Sequence, residues 1–453
     1  MKEFDLLIMG GGPGGYSLAA AAAKKGMKVA VFEKESLGGT CLNVGCIPTK
    51  YLVDKALTID KVKNLSKRGI FEGAPAVNLE KVQKGKEMVV KKLTGGVKFL
   101  LEGAGVSIIK GKAELAPERI IHCEGESYQG KNLVIATGSE TMIIPIPGHE
   151  LCITSTELLE MTKVPERMVV MGGGVIGLEL ACAFQAFGCK VTVVEMLPEL
   201  LPLNQREAVA LLVSHIKKLG VKLFTGAKML RVEKTESGLK AVFEKDGAEE
   251  EAECDQVLMA VGRKACLEGI DAPSLGLAME GRSIKVNEKQ QTSLPGVYAI
   301  GDAAGGLQLA HAAYAEGEKA LKDMLKEEQG PEVPVPACVY TLPCFASVGH
   351  TTESALKAGY EPVLGSFDYN NNGMALAEGA SGSVFVVSDK KSGKTLGVTI
   401  VGENASEMIG MATLAVKDGM KKEEWENLIV AHPSLCEMIK EAALDCFGAA
   451  IHK

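Results

Sequence analysis

Cys41 and Cys46 are separated by four residues in the stretch Gly38-Gly39-Thr40-Cys41-Leu42-Asn43-Val44-Gly45-Cys46-Ile47-Pro48-Thr49-Lys50. A dithiol of this kind can cycle through a disulfide, and the thiolate is the form that reacts. Lys50 supplies a nearby cation, which lowers a thiol pKa. Gly38, Gly39 and Gly45 free the backbone, and Pro48 suits the first turn of a helix, where its missing N–H costs nothing. In a straight helix, residues five apart lie about 8 Å apart at Cα, whereas a disulfide needs about 4.4–6.8 Å. The segment is therefore expected to be a distorted or broken helix if the pair closes. The competing reading is two unrelated buried cysteines in a chain that carries 12. Spacing alone does not separate the two.

A second candidate lies near the carboxy terminus, in Ala431-His432-Pro433-Ser434-Leu435-Cys436-Glu437. Histidine titrates near neutral pH and could move the protons that dithiol chemistry releases. Taken alone, however, these residues favour a plainer reading. Ser434 would cap a helix with Glu437 at the capping-box position, and His432 would be a loop histidine.

Such groups need elements that hold them and an electron acceptor. Asp5-Leu6-Leu7-Ile8-Met9 reads as a buried strand, followed by Gly10, Gly12 and Gly15, an alanine-rich helix, and a second strand Val29-Ala30-Val31-Phe32 ending at Glu33. This is a complete βαβ dinucleotide fingerprint. The helix amino terminus faces the phosphates, and the acid can accept from a ribose hydroxyl. The device recurs as Met168-Val169-Val170-Met171, Gly172, Gly174 and Gly177, then Val191-Thr192-Val193-Val194 and Glu195, with the same glycine-to-acid spacing. Two whole fingerprints, each with its own acid, imply two dinucleotides. At Glu195 no arginine follows, which favours a free 2′-hydroxyl and hence NAD over NADP.

Composition narrows the class. The chain has 453 residues, enough for two to four domains, and 46% are hydrophobic and 24% charged. A net charge of −7 argues against a nucleic-acid partner. The uncharged run from Leu6 to Ala23 is long enough to suggest a membrane span, but the glycine cluster at its centre breaks a helix, so no membrane partner is expected. No targeting segment is expected, because strand-like sequence starts at Phe4. Twelve cysteines without a secretory framework point to a reducing, cytoplasmic setting, most of them serving as small apolar core residues. No cysteine or histidine cluster has zinc spacing, so no metal is expected.

Two further strands, Leu133-Val134-Ile135-Ala136-Thr137-Gly138 and Val257-Leu258-Met259-Ala260-Val261-Gly262, end in small-residue turns and could each close a nucleotide unit. Pro145, Pro147 and Gly148 mark a first crossing. Gly296 to Asp302 reads as a strand returning to the first unit, ahead of a helix from about His311. The stretch from Gly330 to Pro336 marks the last boundary, after which strands precede helices in an α+β pattern. The expected segments are 1–145, 146–265, 266–332 and 333–453. The fold class is α/β, with two Rossmann-like dinucleotide-binding domains and a carboxy-terminal α+β domain.

Together, GGGPGG, GGTCLNVGCIPTK, the ATG turn, GGGVIGLELA, GVYAIGDAAG and AHPSLCE resemble, in order and over essentially the whole length, the pyridine nucleotide–disulfide oxidoreductases with FAD, NAD and interface domains. The resemblance implies FAD, bound non-covalently, at the first fingerprint and NAD at the second. It implies residues 1–145 and 266–332 as the FAD and central part, 146–265 as the NAD domain, and 333–453 as the interface domain of a homodimer that completes the partner's site. Within the family it implies oxidation of protein-bound dihydrolipoamide to lipoamide. The carrier would be a lipoyl domain of a 2-oxo acid dehydrogenase complex or a glycine-cleavage lipoyl protein. The alternative on the same scaffold is NADH-dependent reduction of another disulfide or acceptor. A non-catalytic nucleotide-binding protein would need none of these side chains.

By motif position, Cys41 would exchange with substrate, Cys46 would lie against the flavin, and His432 would be the base held by Glu437. Lys50 and Glu179 would pair near the flavin. Asp302 would hold the ribityl chain, the helix start at Ala310 would face the flavin pyrimidine, and Ala113 would contact the adenosine. Thr137, Gly138 and Gly262 belong to the turns that close the nucleotide sites. Two departures stand out: Val430 replaces a histidine that many relatives carry, and Leu342-Pro343-Cys344 stands where His-Pro-Glu is common.

Overall fold

The computed structural model describes residues 1–73 and 76–453. Strand Lys2–Met9 is fully buried from Leu6 onward, as a central parallel strand requires. It lies between Val29–Glu33 and Glu126–Ile135, parallel to both, and Ser107–Lys110 extends the sheet beyond Val29–Glu33. The long strand Glu126–Ile135 has two partners on its other edge. Its first half is antiparallel to Ile120–Cys123, and its second half is parallel to Val297–Ala299. That last pairing brings the chain back to the first unit, as expected from the Gly296–Asp302 pattern.

The second unit repeats the plan with four parallel strands in the order Lys222–Thr225, Lys190–Glu195, Arg167–Met171 and Gln256–Met259. A three-stranded antiparallel sheet, Ala227–Thr235, Gly238–Lys245 and Ala248–Cys254, follows within it. Where the chain crosses between the units, Ser139–Thr141 pairs antiparallel with Arg263–Ala265.

The repeat extends to backbone detail. Gly10 and Gly172 have φ of 106° and 107°, a left-handed conformation that only glycine adopts at little cost. A Cβ on Gly15 would lie 1.9 Å from the Gly10 carbonyl oxygen, and one on Gly177 2.1 Å from that of Gly172. The third glycine of each fingerprint is thus required by the close fit of helix to turn.

From Ala337 the chain builds a five-stranded antiparallel sheet ordered Ala337–Val339, Phe345–Gly349, Thr395–Val401, Ser383–Asp389 and Pro362–Asp368. Helices Ala405–Asp418 and Glu437–Asp445 pack on it. Trp425 is buried beside them and donates its indole N–H to Thr395 Oγ1 at 2.8 Å. The expected capping box at Ser434 is half formed. Glu437 accepts the Ser434 backbone N–H at 2.9 Å, as the box requires, but among the described residues the buried Ser434 hydroxyl has no partner, and the regular helix starts at Glu437 after Cys436.

Helix Cys46–Lys67 ties the parts together. Leu52, Val53 and Ala56 are buried in one cluster with Leu178, Cys182 and Phe184 of the second unit and Val339 and Phe345 of the last sheet. Each such aliphatic side chain contributes about 1.5–3 kcal/mol by leaving water. The helix that begins with Cys46 is therefore seated in a core shared by the later segments.

Candidate active site

The helical segment that carries the two cysteines is broken between them. Gly39–Asn43 forms one short helix and Cys46–Lys67 another, and the chain turns at Val44 (φ −137°, ψ 19°) and Gly45 (φ −138°, ψ −109°). The break matches the geometric expectation. A Cβ at Gly45 would lie 2.9 Å from the Thr40 carbonyl oxygen, so the turn closes over the first helix.

Both cysteines are free thiols. Their titration is split. The Cys41 S–H donated to Cys46 holds the Cys46 thiol down at about 7, with Lys50 adding to the effect against the opposing cost of burial. The same bond, with burial, pushes the Cys41 thiol far up. Cys46 also opens its helix, where the amino-terminal dipole favours an anion. Among the described residues it is the one thiol pushed down. Burial pushes Cys182 and Cys344 up to about 12, which marks them as inert core thiols. The reading of Cys41 and Cys46 as unrelated buried cysteines does not survive this arrangement.

Lys50 Nζ bridges both oxygens of Glu179, at 3.0 and 2.8 Å, and so links the first unit to the second. Glu179 is buried, and it also accepts the Tyr340 N–H at 2.9 Å from the last segment. The ammonium sits 4.5 Å from the Tyr340 ring centroid. Next to this, the departing Leu342 and Cys344 are both buried, so the uncharged replacements are absorbed into packing.

The nucleotide cradles are alike. Glu33 accepts the Gly11 N–H at 2.9 Å and the Glu35 N–H at 2.8 Å. Glu195 accepts the Gly173 N–H at 2.6 Å and the Leu197 N–H at 2.7 Å. Neither helix Pro13–Lys24 nor Val175–Phe187 has a side-chain cap at its amino terminus, which leaves N–H groups for phosphate oxygens. A Cβ on Gly12 would meet only the Gly39 Cα, at 3.9 Å, and one on Gly174 would meet nothing within 4 Å. Each middle glycine thus borders open space where a pyrophosphate fits. Met196 follows Glu195, so no cation stands next in sequence to receive a 2′-phosphate.

Asp302 lies in the short turn Gly301–Ala304 and accepts the Ser139 hydroxyl. Arg263, which sequence reasoning passed over, completes this group. Its guanidinium donates to Ser139 Oγ at 2.7 Å, to the Ser139 carbonyl at 2.6 Å, and weakly to Thr40 Oγ1 at 3.5 Å. It thereby joins the residue before Cys41 to the crossing between the units. Its position just after Gly262 was the only signal available. Thr137 Oγ1 donates to the Cys266 carbonyl at 2.6 Å, and Gly138 takes φ 71°. Gly262 (φ 114°) accepts the Met142 N–H at 3.0 Å through its carbonyl. Ala113 opens strand Ala113–Ala116 against Gly269, and Ala310 opens the uncapped helix Ala310–Met324.

His432 Nδ1 lies 3.0 Å from Glu437 Oε1. The ring is 79% exposed, and within one chain it shares no hydrogen bond with the thiol pair. Burial raises the Glu437 carboxyl, but the Ser434 N–H and the His432 ring more than offset this and hold it below the usual range.

Two family descriptions match the chain: "Pyridine nucleotide-disulphide oxidoreductase" over residues 4–317 and its dimerisation domain over residues 335–443. The chain belongs to the pyridine nucleotide-disulphide oxidoreductase family. It is 41% identical over 458 residues to a protein of Thermus scotoductus named dihydrolipoyl dehydrogenase, covering 100% of this chain and 99% of that one. A Bacillus subtilis protein of the same name is 36% identical, with 99% of each chain covered. Among solved structures, the HOCl-induced flavoprotein disulfide reductase RclA from Escherichia coli superposes with a TM-score of 0.87 at 26% identity. That match covers 97% of this chain and 99% of that one. The chain is thus an NAD-linked flavoprotein disulfide oxidoreductase with FAD and NAD as cofactors, and its last domain is a dimerisation domain. Among the described residues, no helix is long and apolar enough to cross a membrane.

Proposed function

We propose that this chain oxidises protein-bound dihydrolipoamide to lipoamide and reduces NAD, as a dihydrolipoyl dehydrogenase. The observation that carries the reading is the helix break that separates Cys41 from Cys46, with Cys46 opening the next helix four residues ahead of Lys50 and its ion pair with Glu179. In the oxidised pair, His432 Nε2, supplied by the partner subunit of the homodimer, takes a proton from one substrate thiol. The new thiolate attacks Cys41 Sγ, forming a substrate–Cys41 disulfide and releasing Cys46 as thiolate. The second substrate thiol then attacks the mixed disulfide, lipoamide leaves with its own S–S bond, and Cys41 leaves as the reduced thiol. Two electrons have moved from substrate to the protein pair. When bound, FAD supplies the acceptor that restores the pair and the donor that reduces NAD.

The chain's own residues do the rest. Glu437 holds the His432 ring with the proton on Nδ1 and Nε2 free, Lys50 with Glu179 fixes charge beside Cys46, and Asp302 with Arg263 and Ser139 orders the flavin side. Gly10, Gly12, Gly15 and Glu33 cradle FAD; Gly172, Gly174, Gly177 and Glu195 cradle NAD. The domain limits we assign are 1–145, 146–265, 266–332 and 333–453. The natural substrate carrier would be a lipoyl domain of a 2-oxo acid dehydrogenase complex or the glycine-cleavage lipoyl protein, in the cytoplasm.

Anaerobic titration of the holoenzyme tests the reading. Dihydrolipoamide should bleach the flavin band, and NAD should restore it with appearance of NADH. A flavin left oxidised by excess dihydrolipoamide refutes the assignment, and a preference for NADP would overturn the argument from Glu195 and Met196.

A further inference from the structure

The helix that opens with Glu437 also carries Glu441, one turn on, and residues four apart share a helix face with Cβ atoms about 5–6 Å apart. Each carboxylate holds a histidine in the same way. His432 Nδ1 lies 3.0 Å from Glu437 Oε1, and His452 Nδ1, from the carboxy-terminal tail, lies 3.0 Å from Glu441 Oε1. Glu441 is buried, and its other oxygen accepts the Ile451 N–H at 2.8 Å, which folds the tail back onto the helix. One turn further, Asp445 takes Lys453 Nζ at 2.5 Å. Burial raises the Glu437 carboxyl, and the groups that hold it down are the Ser434 N–H, His432 and, from the tail, His452. The helix packs against strands Pro362–Asp368 and Ser383–Asp389 and helix Lys422–Asn427, which carry Asp368, Asp389, Lys422, Glu423, Glu424 and Glu426. Among the described residues, none of these side chains bonds Glu437, Glu441 or either ring. Lys440, three residues from Glu437, donates to the Glu426 and Leu428 carbonyls instead.

We propose that Glu441 and His452 form a second charge pair that sets the basicity of His432, the carboxylate strengthening the base and the tail imidazolium weakening it. This rests on the reading of His432 as the base of dithiol oxidation. The sign follows from charge alone. An anion near the ring stabilises the imidazolium formed when His432 takes the substrate proton, and a protonated His452 offsets that anion. A unit charge about 7 Å away, screened as in water, moves a titration by about half a pH unit. The tail thereby adjusts the pH at which the base is ready to accept a proton.

The test is the pH profile of kcat/KM for dihydrolipoamide with the NAD-supplied holoenzyme. That parameter reports the oxidised enzyme, whose Cys41–Cys46 disulfide does not titrate, so its acid limb belongs to the base. Glu441→Gln, which keeps an acceptor for the tail, should move the limb down by about half a pH unit, and His452→Gln should move it up by a similar amount. NADH oxidation by ferricyanide, which needs no thiol base, checks that each variant holds FAD. If Glu441→Gln does not, His452→Gln decides alone by the sign of its shift. A limb that stays put in either loaded variant, or moves the same way in both, overturns the proposal, because a clamp that merely holds the tail has no sign. A parent enzyme that dihydrolipoamide cannot reduce, or a His432→Ala variant that keeps the parent rate, would instead refute the reading of the reaction and its base.

Discussion

Replacing Glu437 with glutamine isolates the proton route. The two carboxylate oxygens have separate tasks: Oε1 meets His432 Nδ1 at 3.0 Å and Oε2 accepts the Ser434 N–H at 2.9 Å. A glutamine has one acceptor oxygen for these two donors. If it serves Ser434, its amide N–H₂ faces Nδ1, which must then accept, and the ring proton moves to Nε2. The base is lost. If it serves His432, the Ser434 N–H is left unpaired. The His432 ring is 79% exposed and Glu437 28%, so with one partner in solvent the pair's stability contribution is about 0–1 kcal/mol, and Tm should move by no more than about 2–4 °C. The rate should respond far more. Losing a positioned base costs about 10²–10⁴ in rate, and a glutamine that sometimes holds the correct tautomer belongs at the lower end, about 10². The assay is NADH formation from dihydrolipoamide, with NADH oxidation by ferricyanide as a control that needs no thiol base. A kcat within about threefold of the parent, with the control intact, would refute the division of labour between the two oxygens.

The paired glycines can be tested against each other. Gly15→Ala should abolish FAD retention, because its Cβ would lie 1.9 Å from the Gly10 carbonyl, while Gly177→Ala should keep the yellow colour and lose NAD-dependent turnover. The reduced enzyme should be alkylated by iodoacetamide at Cys46 with a midpoint near the value of about 7, and the rate should fall about tenfold per pH unit below it. Because the folded-state value lies below the unfolded one, this thiolate stabilises the reduced protein fully above about pH 9 and stops doing so as pH falls through about 7. A midpoint at the ordinary thiol value would remove the argument from the Cys41 bond. Finally, mixed dimers of His432→Ala and Cys41→Ser should regain activity that neither parent variant has, and a verified heterodimer without rescue would place His432 outside the partner's site.

Local rules made much of this fold legible. The two fingerprints, the helix break between Cys41 and Cys46 and the return strand at Val297 follow from glycine placement, helical geometry and apolar runs, all of which act within a few residues. Family likeness supplied the Lys50–Glu179 and His432–Glu437 pairs, which spacing alone could not. Contacts with no local signature were missed. Arg263 reaches Thr40 and Ser139 across the crossing between units, and its partners are set by how two sheets dock. Tyr16 and Tyr314 meet only because two helices pack side by side. The capping box at Ser434 formed only in part. Glu437 accepts the Ser434 backbone N–H as the pattern requires and gives its other oxygen to His432, but the Ser434 hydroxyl makes no return bond and the regular helix begins at Glu437 itself.

The near-identity of the two glycine turns has a consequence for residence time. With Gly10 and Gly172 alike in φ and both acids clamped to the same loop position, neither cradle by itself distinguishes a tightly kept flavin from a nicotinamide that must leave every turnover. The difference lies in topology. Among the described residues the first unit alone is revisited by the chain, through Val297–Ala299, Asp302 and the helix from Ala310, and on the cofactor placement proposed above these would flank the flavin. On that placement, a duplicated binding module would become a permanent holder in one copy and a revolving door in the other, according to whether the polypeptide passes it once or twice.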